Sequence, residues 1–208
     1  MIKVENIAVW GFPHAIRGMR NPLNSWDKAD SKWINDVPGI QFDIGPKDLK
    51  LMKQLYKAGT EHRKYLRQIV CSFDVVAPLY WWKEFDTYKI GTVSNSCSTM
   101  HKIQAKEFEP IDFSTEHLIH SAMAVLDTTI SGLNVYRQMY LETNDKTFWW
   151  QMIQLLPTSY NQRRTITMNY ENVVTIIKQR TGHKLDEWNE FVEILSRLPY
   201  IKEITSEG

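Results

Sequence analysis

Apolar and polar residues alternate at the start of the chain. Ile2, Val4, Ile7 and Val9 predict an opening strand over Ile2 to Trp10, ended by Gly11-Phe12-Pro13. Residues 14 to 45 keep no period. The turn signals Asn21-Pro22, Asp36-Val37-Pro38-Gly39 and Gly45-Pro46 predict an irregular wrap over the core, or a lid. Pro46 suits the first turn of a helix and Gly59 its end, and Leu51, Met52, Leu55, Tyr56 and Ala58 make one apolar face between them. Period two returns at Ile69, Cys71, Phe73 and Val75, a strand that Pro78 stops. A short aromatic helix, Leu79 to Phe85, and a polar loop, Thr92 to Thr99, follow.

The second half is helical in pattern. Ser114 is the expected cap of the longest helix, roughly Thr115 to Leu141, whose apolar residues cover more than one stripe. On it Ser121, Ala124, Thr128 and Gly132 form a row of small side chains that allows another helix to approach closely. Asn144 opens a helix with Phe148, Trp149 and Met152, halted by Pro157, and a loop over Thr158 to Thr167 carries Arg163 and Arg164. Asn169 caps a helix ending at Arg180 and Gly182, and Leu185, Trp188, Val192 and Leu195 mark the last one. The fold class expected is α+β in a single domain over 1–208. A mostly antiparallel sheet would contain residues 69 to 76, and a helical portion would be built on 115 to 197.

Composition narrows the setting. At 208 residues and 43% hydrophobic content the chain can bury a full core, and with a net charge of +1 nothing global argues for nucleic acid or an anionic membrane, so neither is expected as a partner. No apolar run is long enough to span a bilayer, and Met1-Ile2-Lys3-Val4 lacks a signal peptide's apolar stretch. Cys71 and Cys97 show no paired spacing, which points to a reduced, cytoplasmic protein.

The candidate chemistry centres on Ala77 to His101. Four aromatics (Tyr80, Trp81, Trp82, Phe85) precede Asp86-Thr87-Tyr88-Lys89 and then the small polar residues Ser94, Asn95, Ser96, Cys97 and Ser98. That mixture suits a pocket wall for a flat ring beside a hydrogen-bonding network. By itself the stretch slightly favours a packed aromatic helix end followed by a loop. Arg180 lies on the inward face of its helix with Ile176 and Ile177, so it needs either an acidic partner or a substrate carbonyl or phosphate. Arg163 adds a second anion-friendly group. His117 and His120 stand one turn apart on the predicted long helix with no third metal ligand, so no metal is expected.

Two gapless sections resemble the flavin-dependent thymidylate synthases (ThyX), over about residues 46–197. Ala77-Pro78-Leu79 leads at the family's spacing to Thr87-Tyr88-Lys89, where the family carries Arg-His-Arg. Cys97 stands seven residues on in place of a serine, followed by Ser98 and Thr99. Leu156-Pro157, Arg163, Thr167-Met168-Asn169 and Arg180 follow the family's C-terminal order, and Asn24-Ser25-Trp26 is weakly similar to a flavin-contacting segment. The resemblance implies a homotetramer that alkylates a pyrimidine deoxynucleotide such as dUMP at C5, with bound FAD, a folate one-carbon donor and NADPH.

It also implies roles for single residues. Arg163 and Arg180 would hold the nucleotide, with Ser96, Cys97, Ser98 and Thr99 around its phosphate or base. Thr87, Tyr88, Lys89, Asn169 and Gln68 fall at flavin positions, and Arg180, Lys89 and Cys97 are the candidates nearest the chemistry. The departures lie on the cofactor side: Thr87 and Tyr88 lack charge, Glu171 replaces an arginine, and Gln68 replaces a histidine, although His62 lies six residues earlier. Three functions stay open. One is the flavin enzyme; the second is an enzyme in which a Cys97 thiolate adds to C6 of the pyrimidine; the third is a nucleotide-binding paralogue without turnover.

Overall fold

The computed structural model describes residues 2–34 and 41–206, so the turn signal Asp36 to Gly39 lies outside the described residues. The class is α+β, with a four-stranded sheet in the order β1-β4-β6-β5 and antiparallel pairing. The strands are β1 (Lys3–Trp10), β4 (Val70–Pro78), β5 (Thr92–Ser96) and β6 (Asn161–Asn169). A separate antiparallel hairpin pairs β2 (Lys32–Ile34) with β3 (Gln41–Asp43), placing Trp33 opposite Phe42. Along β4 the period is regular. From Val70 to Ala77, Cys71, Phe73, Val75 and Ala77 are buried and the residues between them half-buried, as the alternation predicts.

The chain forms two compact units. The first comprises Met1–Glu5, Asp74–Thr87 and Ser94–Thr165. It contains α3 (Leu79–Phe85), α4 (Thr99–Lys102), α5 (His120–Thr143) and α6 (Lys146–Leu155). Its core is Ile103, Phe108, Phe113, Leu126, Ile130, Leu133 and Met152, with Tyr136, Tyr160 and Trp149 packed against them. The second comprises Asn6–Phe73, Tyr88–Val93 and Ile166–Gly208. It holds α1 (Phe12–Arg20), α2 (Pro46–Lys57), α7 (Tyr170–Arg180), α8 (Asp186–Ser196) and α9 (Ile201–Thr205). Phe12, Met52, Leu66, Phe73, Tyr170, Ile176, Trp188 and Phe191 are among its buried residues, and Phe12 meets Tyr170 and Tyr200 edge-on at 5.8 and 5.5 Å.

Several predicted elements are corrected. Residues 14–45 are not irregular throughout: Pro13 opens α1 instead of ending a strand, because Gly11 takes a left-handed φ of 99° just before it. The stretch Thr92 to Ser96 is a strand, not a loop. It closes one edge of the sheet with Val93 to Ser96 all exposed, so nothing in it alternates. The Arg163 segment is likewise a strand. Ser114 does not cap the long helix, which begins six residues later at His120; the Ser114 hydroxyl instead donates to Asn161 Oδ1 at 2.9 Å. His117 therefore lies before α5 and not one turn from His120 within it. Asn144 ends α5 with a left-handed φ of 52°, and Asp145 caps α6 through the Thr147 amide at 2.8 Å.

A buried ion pair organises the start of the second unit. Asp48, with no exposed surface, accepts from Arg20 Nε at 2.7 Å, from the Asp30 and Ser31 amides at 2.9 Å each, and from the Ser31 hydroxyl at 2.6 Å. In return the Asp30 carboxylate accepts the Lys47 and Asp48 amides, two of the orphan donors at the start of α2. This exchange fixes the segment that enters β2.

Candidate functional site

In the first unit the predicted substrate residues cluster around β6. Alternation sends Arg163 and Thr165 to one face and Gln162, Arg164 and Ile166 to the other. Arg163 is exposed and pairs with Glu5 at 2.9 Å and Asp74 at 3.4 Å, while the Thr165 hydroxyl donates to the other Asp74 oxygen at 2.6 Å. The Arg163 carbonyl accepts the Cys97 amide at 2.9 Å, continuing the β5–β6 pairing past Ser96. Cys97 and Arg163 are thus neighbours through their backbones. Cys97 is exposed, as is Ser96; the Ser98 hydroxyl caps α4 through the His101 amide at 3.0 Å, with Thr99 as the first residue of that turn.

The opposite face of β6 holds an assembly that the sequence did not single out. The Arg164 guanidinium lies 4.2 Å over the ring of Trp82, donates to Asp86 Oδ1 at 2.7 Å, and reaches Gln162 Oε1 at 3.0 Å. Gln162, 7% exposed, passes this on by donating Nε2 to the Cys97 carbonyl at 2.8 Å. Trp82 itself donates to the Gln162 carbonyl at 3.0 Å and packs against Trp81 and Phe85. The buried aromatic end of α3 is therefore core and also the platform for a cation. Strand alternation through Arg163 and Arg164 is the signal in the sequence that separates these two faces.

In the second unit the residues gather at the C-terminal end of α7. Arg180, predicted to face inward, is half-buried. Its guanidinium lies 4.4 Å from the Trp188 ring centroid, its Nε donates to the Tyr88 hydroxyl at 2.9 Å, and its Nη1 stands 3.2 Å from His183 Nε2. Tyr88 also donates to Gln179 at 3.0 Å. Two aromatic rings thus fix the plane of the guanidinium, which a lysine could not reproduce. Asn169 caps α7 as expected, accepting the Asn172 amide at 3.1 Å. Asn172 in turn donates to the Ile90 carbonyl and the Thr92 hydroxyl at 2.8 and 2.9 Å, and binds the Tyr88–Val93 segment to the helix. Gly91, at φ 72°, is required there because a Cβ would stand 2.5 Å from Asn169 Nδ2.

Little of the expected flavin set is free to cradle a diphosphate. The Thr87 hydroxyl donates to the Glu84 carbonyl at 2.8 Å, Tyr88 is bonded to Arg180, and Asn169 is a helix cap. The Gln68 side chain packs against α1, its Oε1 2.5 Å from where a Cβ on Gly18 would stand. Lys89 is exposed. Glu171, which a diphosphate would meet as a repelling charge, is neutralised by Arg63 through contacts of 3.1, 3.2 and 2.8 Å. In this chain the polar groups at Thr87, Tyr88 and Asn169 are thus already engaged in internal hydrogen bonds. Cys71 is buried, and burial pushes its thiol up to about 12, so it is no nucleophile at neutral pH. Among the described residues no group of three or more metal-ligating side chains occurs, and no helix is long and apolar enough to cross a membrane.

No family model matches the chain, and no curated protein does. Solved structures do. The flavin-dependent thymidylate synthase ThyX from Helicobacter pylori, complexed with FAD and dUMP, superposes with a TM-score of 0.71 over 98% of each chain at 17% identity. A second structure of that enzyme with the same ligands gives 0.70 over 98% of this chain and 96% of the other, also at 17% identity. A UMP/dUMP methylase, PolB, from Streptomyces cacaoi bound with 5-Br UMP gives 0.64 at 13% identity, covering 94% of this chain and 87% of that one. At such identity the likeness establishes a shared fold over nearly the whole chain.

Proposed function

We propose that this chain binds a pyrimidine deoxynucleotide of the dUMP type and alkylates its base at C5. The observation that supports this most is the end-to-end match to two kinds of enzyme whose structures hold uridine nucleotides, dUMP in one and 5-Br UMP in the other. Within the chain, Arg180 presents a guanidinium oriented by aromatic rings, and Arg163 presents a second cation beside Cys97. In the second unit Arg180 would bind the base or phosphate; in the first, Arg163 would bind the phosphate, with Ser96, Cys97, Ser98 and Thr99 supplying polar groups beside it. Lys89 would add charge near the reacting carbonyl. In the enzyme reading Thr87, Tyr88, Lys89, Asn169 and Gln68 would hold FAD, which would supply the reducing equivalents, with a folate and NADPH as the further reactants the resemblance implies.

A second reading is a pyrimidine-nucleotide-binding paralogue without flavin. One observation favours it: Thr87, Tyr88 and Asn169 are bonded within the chain, and Glu171 stands where the family has an arginine. An absorption spectrum of the purified protein, with and without added FAD, separates the two, and dUMP calorimetry tests what they share. Flavin bands that persist through gel filtration support the enzyme. A colourless protein that binds dUMP but takes up no FAD supports the paralogue. Failure to bind dUMP at all removes both.

Cys97 distinguishes chemistries within the enzyme reading. Cys97→Ser restores the residue that the family carries and is expected to retain most activity. If instead the thiolate attacks C6, the serine variant loses turnover and also loses an adduct with a 5-fluoropyrimidine nucleotide visible by mass spectrometry.

A homotetramer belongs to the same proposal. The row Ser121, Ala124 and Thr128 is exposed on the single chain, a Cβ on Gly132 would meet no atom within 4 Å, and Ile119 and Val125 are 70% and 67% exposed. A second copy's helix could cover this face. Light scattering at micromolar concentration is expected to report an oligomer, and a monomer would count against a site shared between copies.

A further inference from the structure

The second unit carries an aromatic groove that the proposed nucleotide chemistry does not use. One compartment, of about 1010 Å³, is walled by Trp10, Phe12, Trp33, Phe42 and Tyr200, with Glu203 at its margin. A neighbouring compartment of about 460 Å³ shares Pro13, Trp33 and Phe42 with the first and adds Trp26, Arg17 and Lys32. Trp10, Trp26 and Trp33 are 49%, 49% and 52% exposed, a concentration of half-open indoles that folding alone does not call for.

The walls are built, not incidental. Trp33 and Phe42 pair across the β2–β3 hairpin with ring centroids 5.0 Å apart, and Trp26 donates to Asn21 Oδ1 at 2.8 Å. The Asp48 carboxylate holds the Ser31 amide and hydroxyl immediately before β2. Pro13, Ile16, Arg17 and Arg20 face the groove, while Gly18 meets Gln68 on the other side of α1, as 100° per residue requires. The Gln68 side chain is therefore on another side of α1 from Arg17 and Arg20, while its carbonyl abuts Gly11 at the edge of the first compartment.

Charge decides the occupant. Arg20 is neutralised by Asp48, but Arg17 and Lys32 are exposed and have no ion-pair partner among the described residues. Glu203 places a carboxylate in the first compartment. We infer that this groove is a second binding site, for a small planar aromatic acid. Its ring lies between the indoles of the first compartment, repelled by Glu203 if it carries an anion there. Its carboxylate, sulfonate or phosphate points past Trp33 to Arg17 and Lys32.

Naphthalene-2-sulfonate is a suitable probe, titrated into the full chain by calorimetry. Saturable binding of one molecule per chain is expected. Trp33→Ala and the double variant Arg17→Glu/Lys32→Glu are each expected to weaken it about tenfold or more, while Trp33→Tyr keeps most of the affinity. The charge variant lies on exposed positions, so it tests the site even if Trp33→Ala fails to fold. Absence of saturable binding, equal affinity for 2-naphthylmethylammonium, or undiminished binding by the charge variant would overturn the inference. Displacement of the probe by dUMP would also overturn it, by making this groove part of the nucleotide site; dUMP binding that is absent altogether would sink the proposed function and leave the groove standing.

Discussion

Asp48→Ala is expected to destabilise the protein by about 3–5 kcal/mol in urea unfolding at neutral pH, the cost of breaking a buried ion pair on one side. Arg20 is only 4% exposed, and it would keep its contact to the Ser25 carbonyl while losing its counter-charge. The Asp30 and Ser31 amides would lose their acceptor in the same substitution. Arg20→Met is expected to cost less, because Asp48 then retains those two amides and the Ser31 hydroxyl. Equal losses in the two variants would show that the pair acts through its charge alone, with no share for the backbone it ties down.

The same carboxyl gives a pH dependence with a definite sign. Burial by itself would raise the pKa of Asp48, but the Ser31 hydroxyl, the Asp30 amide, Arg20 and the Ser31 amide outweigh it and hold it below the ordinary carboxylate value. A depressed folded-state pKa contributes stability above the unfolded value, about 3.9, and loses it as the pH falls through the folded value. Wild-type stability is therefore expected to decline below about pH 4 more steeply than that of Asp48→Asn, which has no proton to take up there. Parallel acid unfolding curves for the two would remove this carboxyl as a source of the acid sensitivity.

Much of the fold was legible wherever one physical signal acted alone. β4 alternates because one of its faces is buried, α2 is bracketed by Pro46 and Gly59, and Asn169 caps α7 with its own side chain. The aromatic helix Leu79–Phe85 was read with the observed bounds. Signals failed where two acted together. Gly11 and Pro13 read as a stop, yet Pro at the first turn of α1 and a left-handed residue before it make a start. β5 is an edge strand exposed from Val93 to Ser96, so its hydrogen bonds and not its side chains define it. In the first unit Cys97 and Arg163 are neighbours through backbone pairing that no side-chain pattern reports. The Arg164–Trp82–Asp86 assembly depends on residues distant in sequence, as does the Arg63–Glu171 pair. Glu171 looked like a lost cation; it is one half of an ion pair with Arg63.

Arg180→Ala is expected to weaken dUMP binding by about 1.5–3 kcal/mol, the worth of a charge-assisted hydrogen bond, or roughly ten- to 150-fold in Kd. The Trp188 face at 4.4 Å and the Tyr88 hydroxyl at 2.9 Å hold the guanidinium plane before any ligand arrives, so little side-chain entropy is lost on binding. That pre-ordering predicts a graded series. Tyr88→Phe keeps the ring and removes the hydroxyl, so its loss is expected to be smaller than that of Arg180→Ala. Arg180→Lys keeps the charge without the planar fork and is expected to lie near the alanine variant. Calorimetry on variants whose melting matches wild type reads the series directly. A lysine variant that binds as tightly as wild type would mean that only charge matters at this position. An unchanged affinity in folded Arg180→Ala would mean that Trp188, Tyr88 and His183 hold this arginine for the stability of the second unit, and that the nucleotide is bound elsewhere.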